Sequence, residues 1–158
     1  MILIKIKNDL EPYQKFYSLF SEAQKNNQKA IDAVSISSFN IETNEVESRY
    51  VNLKYIFDEE WIFFSNYNSN KANNFDGHNQ ITSLIYWNEI DVQIRIKAKI
   101  KKSSREISDF HFSQRNDEKN ALAISSNQSK KIASYKKIIE KYNETFKNKS
   151  LTERPQYW

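Results

Sequence analysis

Apolar positions change period twice along this chain. In EPYQKFYSLFSEAQKNN (11–27), Tyr13, Phe16, Leu19, Phe20 and Ala23 recur at three- and four-residue spacing, which predicts an amphipathic helix. From residue 30 the period shortens. AIDAVSISSF (30–39), VESRYVNLKYIF (46–57) and EEWIFFSN (59–66) are rich in β-branched and aromatic residues and are parted by short polar turns. They predict three strands in an antiparallel meander. QITSLIYW (80–87) has apolar residues on both faces and reads as a central strand, with NEID leading by a hairpin into DVQIRIKAKIKK (91–102). That strand alternates, with Val92, Ile94, Ile96, Ala98 and Ile100 on one face and Gln93, Arg95, Lys97, Lys99 and Lys101 on the other. Helical spacing then returns. SSREISDFHFSQR (103–115) opens on a serine cap, with Glu106 three residues after Ser103. QSKKIASYKKIIEKYNETF (128–146) places Ile132, Tyr135, Ile138, Ile139, Tyr142 and Phe146 on one side.

These elements predict one mainly β domain with flanking helices (α+β), an antiparallel barrel that is closed or nearly so. Residues 1–158 suffice for one core: an N-terminal helix near 12–26, a barrel near 30–102 and C-terminal helices near 103–147.

Composition narrows the chemistry. Cysteine is absent, which removes disulfides and thiolate catalysis, and the two histidines, His78 and His111, stand too far apart in sequence to suggest zinc. The single glycine, Gly77, excludes the P-loop and the GxGxxG turn, both of which need glycine for close backbone approach to a phosphate. No apolar run approaches the ~20 residues of a membrane span, and MILIKIKNDLEP lacks a signal peptide's long apolar region. The expectation is a soluble cytoplasmic protein with no membrane partner. Net charge is +4 but uneven: residues 1–94 hold 8 basic and 13 acidic side chains, and residues 95–149 hold 15 and 6. With no stacking-aromatic motif running through it, the basic half reads as a solvated helical and strand surface, and nucleic acid is not expected as a partner.

Two places carry candidate chemistry. In WIFFSNYNSNKANNF (61–75) an apolar run ends on hydroxyls, amides and one lysine. Ser69 reads as an N-cap for a short helix whose first-turn amides suit an anion, and Lys71 puts a cation where the helix dipole disfavours one unless an anion is present. Arg49, in ESRYVNLK, shares the parity of Val51, Leu53 and Tyr55. It therefore points to the apolar side and requires a counter-charge there, a role a phosphate could fill.

In order and spacing the chain resembles the pyridoxamine 5′-phosphate oxidase family of FMN-binding split barrels. The family's R-[MVY]-V-L-L-K strand corresponds to Arg49-Tyr50-Val51-Asn52-Leu53-Lys54, and its F-Y-T-N-x-x-S-R-K to Phe63-Phe64-Ser65-Asn66-Tyr67-Asn68-Ser69-Asn70-Lys71. L-L-F-x-W is similar to Leu84-Ile85-Tyr86-Trp87, and E-R-Q-V to the stretch from Ile90 to Ile94 that contains Gln93. Y-F-x-x-R is similar to His111-Phe112-Ser113-Gln114-Arg115, S-x-Q-S to Ser126-Asn127-Gln128-Ser129, and P-x-x-W to Pro155-Gln156-Tyr157-Trp158. The likeness runs over roughly residues 12–158.

The resemblance implies an FMN cofactor whose phosphate is held at Arg49, Asn70 and Lys71. The backbone of Arg49, Tyr50, Val51 and Asn52 would line the flavin, with Lys54, Phe64, Ser65 and Gln93 around it. Gln128 and Ser129 would reach in across a homodimer interface, and Lys54, His111 and Arg115 would bind the phosphate of a B6 vitamer. It further implies oxidation of pyridoxamine or pyridoxine 5′-phosphate to pyridoxal 5′-phosphate, with hydride passing to the flavin and then electrons to oxygen. No residue is singled out as a catalytic acid or base. Asn70, His111 and Lys119 depart from the family's arginine, tyrosine and serine. The family's W-Q-G and R-L-H-D-R motifs, which follow in its last strands, are not present before Trp158. A second expectation is therefore a member that binds FMN or pyridoxal phosphate without oxidase turnover.

Overall fold

The computed structural model describes residues 2–5, 7, 9–126, 131–132, 134–148 and 150–158. In chain order the elements are β1 (Leu3–Lys5), α1 (Glu11–Lys25), β2 (Ala33–Asn40), β3 (Glu45–Phe57), β4 (Glu60–Phe63), α2 (Asn70–Gly77), β5 (Gln80–Trp87), a 3₁₀ turn (Asn88–Ile90), β6 (Val92–Lys99), α3 (Arg105–Ser113), α4 (Asp117–Ser125) and α5 (Tyr135–Asn148). They fall into two compact units, residues 1–64 with 74–101, and residues 65–73 with 102–158.

The first unit is built on the sheet. Strands β2, β3 and β4 form the expected antiparallel meander, and the path β1-β3-β2-β5-β6, with β4 also on β3, leaves the sheet unclosed among the described residues. Two features depart from the sequence pattern. β1 is a sixth strand, parallel to β3 with Leu3 opposite Tyr55, and its three residues are too short to show a period. β5 does lie between β2 and β6, but only one of its faces is buried. Ile81, Ser83, Ile85 and Trp87 face the core, whereas Leu84 and Tyr86 on the other face are exposed. Apolar character on both faces therefore does not mean burial on both in the single chain.

The core joins Val34, Ile36, Leu53, Ile56, Ile81 and Ile85 to one side of α1. Phe16 meets Trp61 at 4.5 Å and Trp87 at 5.6 Å between ring centroids, and Phe20 meets Trp87 at 5.9 Å. Each such aromatic contributes about 1.5–3 kcal/mol through burial alone. Tight turns in a chain with one glycine fall to short polar residues. Asn44, Asp58 and Asp91 take φ of 57°, 51° and 50° at the β2–β3, β3–β4 and β5–β6 connections, where a side chain able to bond its own backbone lowers the left-handed penalty.

The second unit is helical. Ser104, not Ser103, caps α3, its Oγ accepting from the Ile107 amide at 3.3 Å, and Asn116 caps α4 by accepting from the Lys119 amide at 3.2 Å. α4 was not expected from the pattern because its buried residues, Asn120, Ala121, Ala123 and Ser125, are small or polar and form no apolar stripe. Fully buried Asn120 ties the unit together, its Nδ2 donating to the Phe112 carbonyl (2.9 Å) and the Leu151 carbonyl (2.7 Å). α5 begins at Tyr135, seven residues after the pattern predicts, and residues 127–130 and 133 lie outside the described set. Among the described residues no helix is long and apolar enough to cross a membrane.

Candidate functional site

In the first unit Arg49 faces inward on β3, opposite Ile36 of β2, as its parity predicts. The counter-charge there is the chain's own. Arg49 Nη2 donates to Glu47 Oε2 at 2.7 Å and Nη1 to Ser38 Oγ at 2.6 Å, while Asn74 Nδ2 lies 3.2 Å from both acceptors. Glu47 is two residues before Arg49 and so on the same face. That spacing is visible in the sequence, whereas Ser38 and Asn74 reach the pair only through the fold. Lys54, assigned by resemblance to cofactor and substrate, donates to Asp32 at 2.7 Å with both side chains about three-quarters buried.

Strand β3 also has a free margin. From Glu45 to Asn52 it pairs only with β2 among the described residues, since β4 and β1 join from Leu53 and Tyr55 onward. The Leu53 amide donates to Asp32 on the β2 side (2.8 Å), so antiparallel alternation turns the amides of Tyr50 and Asn52 toward the unpaired margin. The side chain of Val51 is part-buried, and that of Tyr50 is exposed on the outward face of the sheet. Tyr50 lies there in one row with Ser35, Leu84 and Arg95, and Gln93 sits opposite Tyr86 in the next. Phe64 closes the first unit with an edge contact to Tyr55 at 6.0 Å.

The second unit holds the rest. Ser65 Oγ is buried and meets no hydrogen-bonding partner among the described residues. Ser69 is buried too, but its hydroxyl does not cap α2. It donates to the Asn66 carbonyl at 2.6 Å and accepts from Lys71 Nζ at 3.1 Å, while its backbone carbonyl accepts from the Ala72 and Asn73 amides. Asn70 is exposed at the first position of α2. His111 and Arg115 both lie against the Trp158 indole. The His111 ring is stacked on it at 6.0 Å with 3° between planes, and the Arg115 guanidinium carbon is 4.4 Å from its centroid. Phe112, fully buried, meets Trp158 edge-on at 4.8 Å. Arg115 Nη2 donates to the Lys119 carbonyl at 3.1 Å, Nη1 is buried without a partner, and burial lowers the guanidinium below its usual pKa. Lys119 thus serves Arg115 through its backbone. Gln128 and Ser129 lie outside the described residues. No cluster of three metal-ligating side chains occurs among the described residues.

No family model matches the chain. Curated relatives do. The pyridoxine/pyridoxamine 5′-phosphate oxidase of Cytophaga hutchinsonii is 31% identical over 151 residues, spanning 93% of this chain and 69% of the relative. That of Colwellia psychrerythraea is 30% identical over 159 residues, spanning 99% and 72%. Among solved structures, PhzG from Burkholderia lata, in complex with tetrahydrophenazine-1-carboxylic acid, superposes with a TM-score of 0.88 at 18% identity, over 96% of this chain and 74% of that one. A pyridoxamine 5′-phosphate oxidase-related, FMN-binding protein from Nostoc punctiforme superposes with a TM-score of 0.64 at 10% identity, over 84% and 73%. The fold is the split barrel of these structures, and the chain belongs to the pyridoxine/pyridoxamine 5′-phosphate oxidase family.

Proposed function

We propose that this protein binds FMN and oxidises pyridoxamine or pyridoxine 5′-phosphate to pyridoxal 5′-phosphate. The observation that carries the reading is that each unit has polar groups without protein partners at positions that the resemblance assigns to the flavin. The Ser65 hydroxyl is buried and unpaired, and the amides of Tyr50 and Asn52 face an unpaired strand margin. A flavin edge offers alternating carbonyl and nitrogen acceptors, and buried donors are stabilised by meeting them. On these grounds the residues fit FMN. By the same resemblance, Lys71 at the first turn of α2 is one position assigned to its phosphate, and Arg49 of the first unit is another.

When bound, FMN supplies the two-electron acceptor for oxidation of the substrate's C4′ carbon. The chain's own residues bind and orient. Arg115, with a buried Nη1 and a guanidinium plane fixed on Trp158, would receive the vitamer's phosphate beside His111. Lys54, in the first unit, could take a phosphate only by exchanging Asp32 for it. The outward sheet face, exposing Tyr50 (77%), Tyr86 (58%) and Leu84 (38%), would be covered by a second copy, giving a homodimer.

The test is titration with FMN followed by flavin fluorescence. Replacing Arg49 or Lys71 with Ala should weaken binding about tenfold each. Unchanged affinity in both variants would remove the phosphate site. Light scattering should give about twice the 18.8 kDa chain mass, and a monomer that retains FMN would contradict the dimer. A flavin- or pyridoxal phosphate-binding protein without turnover is the second reading, favoured because Lys54, a position the resemblance assigns to the substrate phosphate, is already held by Asp32 at 2.7 Å. Steady-state assay with pyridoxamine 5′-phosphate separates the two.

A further inference from the structure

The arginine expected to take a phosphate already holds an anion. Both terminal nitrogens of Arg49 are engaged, Nη1 by Ser38 Oγ at 2.6 Å and Nη2 by Glu47 Oε2 at 2.7 Å. The same carboxylate oxygen lies 3.2 Å from Asn74 Nδ2, so two donors, one of them charged, converge on it. That is the donor set a phosphate oxygen would seek: a guanidinium N–H beside an amide N–H. The Arg49 side chain is 21% exposed, which limits solvent screening, while Glu47 at 39% keeps a path to water. The carboxylate can leave, and the arginine cannot follow without breaking its bond to Ser38.

We infer that Glu47 is a built-in competitor for the guanidinium of Arg49, so that an external anion gains this arginine only by displacing the carboxylate. The consequence is selectivity by charge. A monoanion exchanges one carboxylate-like partner for another and gains little. A phosphomonoester, carrying close to two charges and three acceptor oxygens, can satisfy Arg49 and Asn74 together and outweigh the lost pair. Glu47 thereby tunes the site toward dianions and lowers its affinity for all of them. This rests on the FMN reading only for the identity of the ligand; competition for Arg49 is a property of the four side chains.

The experiment uses inorganic phosphate as the probe and thermal midpoint as the readout, since a ligand that binds only the folded form raises the midpoint by mass action. Wild type, Glu47→Gln and the double variant Glu47→Gln/Arg49→Ala are melted over a phosphate series at constant ionic strength, with Glu47→Ser as a second neutral variant. Both neutral variants should bind phosphate about three- to tenfold more tightly than wild type, the range spanned by a partly exposed to partly buried ion pair. The double variant should lose that gain. Equal phosphate affinity in wild type and the neutral variants, or a gain that survives removal of Arg49, overturns the inference. FMN and riboflavin titrations run alongside. If Glu47→Gln tightens phosphate but no variant binds either flavin, the FMN reading falls and the competition at Arg49 stands.

Discussion

Two arginines, one in each unit, show two ways of keeping a cation inside a protein. Arg49 lies in a strand and is neutralised by a carboxylate two residues away, with a serine and an asparagine completing the shell. Arg115 lies just past a helix end and forms no ion pair with a carboxylate among the described residues. It rests on the faces of Trp158 and Phe112 and donates to one backbone carbonyl. The first arrangement satisfies the charge and leaves little for a ligand. The second satisfies the plane of the guanidinium by stacking and leaves a buried N–H without an acceptor. A sequence motif that marks an arginine says nothing about which arrangement it will meet, and only the second is poised to accept an anion without exchange.

The comparison can be broken most severely at the aromatic plate. Trp158 is 8% exposed and touches His111, Phe112 and Arg115, so Trp158→Ala should cost about 3–5 kcal/mol in urea denaturation, as for other buried aromatic truncations. A loss below about 1 kcal/mol, the level of an ordinary surface change, would mean the plate does not organise the second unit. A smaller effect sharpens the contrast between the arginines themselves. Arg→Lys at position 49 keeps a charge beside Glu47 and should cost under about 1 kcal/mol. At position 115 the same change removes the stacked plane and the fixed fork, and should cost about 1–2 kcal/mol. Equal costs in matched chemical melts would dissolve the distinction.

The smallest effect is a pH dependence confined to the second unit. Arg154 Nε donates to Asp109 Oδ1 at 2.7 Å, and Arg105 reaches the other oxygen, so the Asp109 carboxyl is held below its usual 3.8 chiefly by the hydrogen bond from Arg154. A lowered folded pKa contributes stability that is fully present above the unfolded value and is lost as pH falls through the folded one. Stability should therefore be flat with respect to this group above about pH 5 and decline below about pH 4. Asp109→Asn should flatten that decline, and an unchanged acid limb would remove Asp109 from the account.

Much of the fold was legible because periodicity survives folding. The meander of β2, β3 and β4, the alternation of β6 and the buried stripe Phe16–Phe20–Ala23 of α1 follow from which residues must leave water. Elements whose burial depends on small or polar residues were not legible. α4 buries Asn120, Ala121, Ala123 and Ser125, and β1 has only three residues, so neither leaves an apolar rhythm. The cap of α3 moved by one residue because adjacent serines, Ser103 and Ser104, offer the same oxygen, and only the path of the backbone selects between them.

For the candidate site the division is similar. The sequence by itself determined which residue types are available: Arg49 on the inward parity of its strand, Ser65 and Lys71 just beyond a buried strand, His111 and Arg115 four apart near a helix end. It also determined the family, because motif spacing is a property of the chain alone. Tertiary structure decided the partners. Asn74 comes to Glu47 across 27 residues and Trp158 to Arg115 across 43, and no local rule of period or propensity reaches that far. Whether a cation is neutralised or poised depends on which distant side chain fills the space beside it, and that is settled by packing.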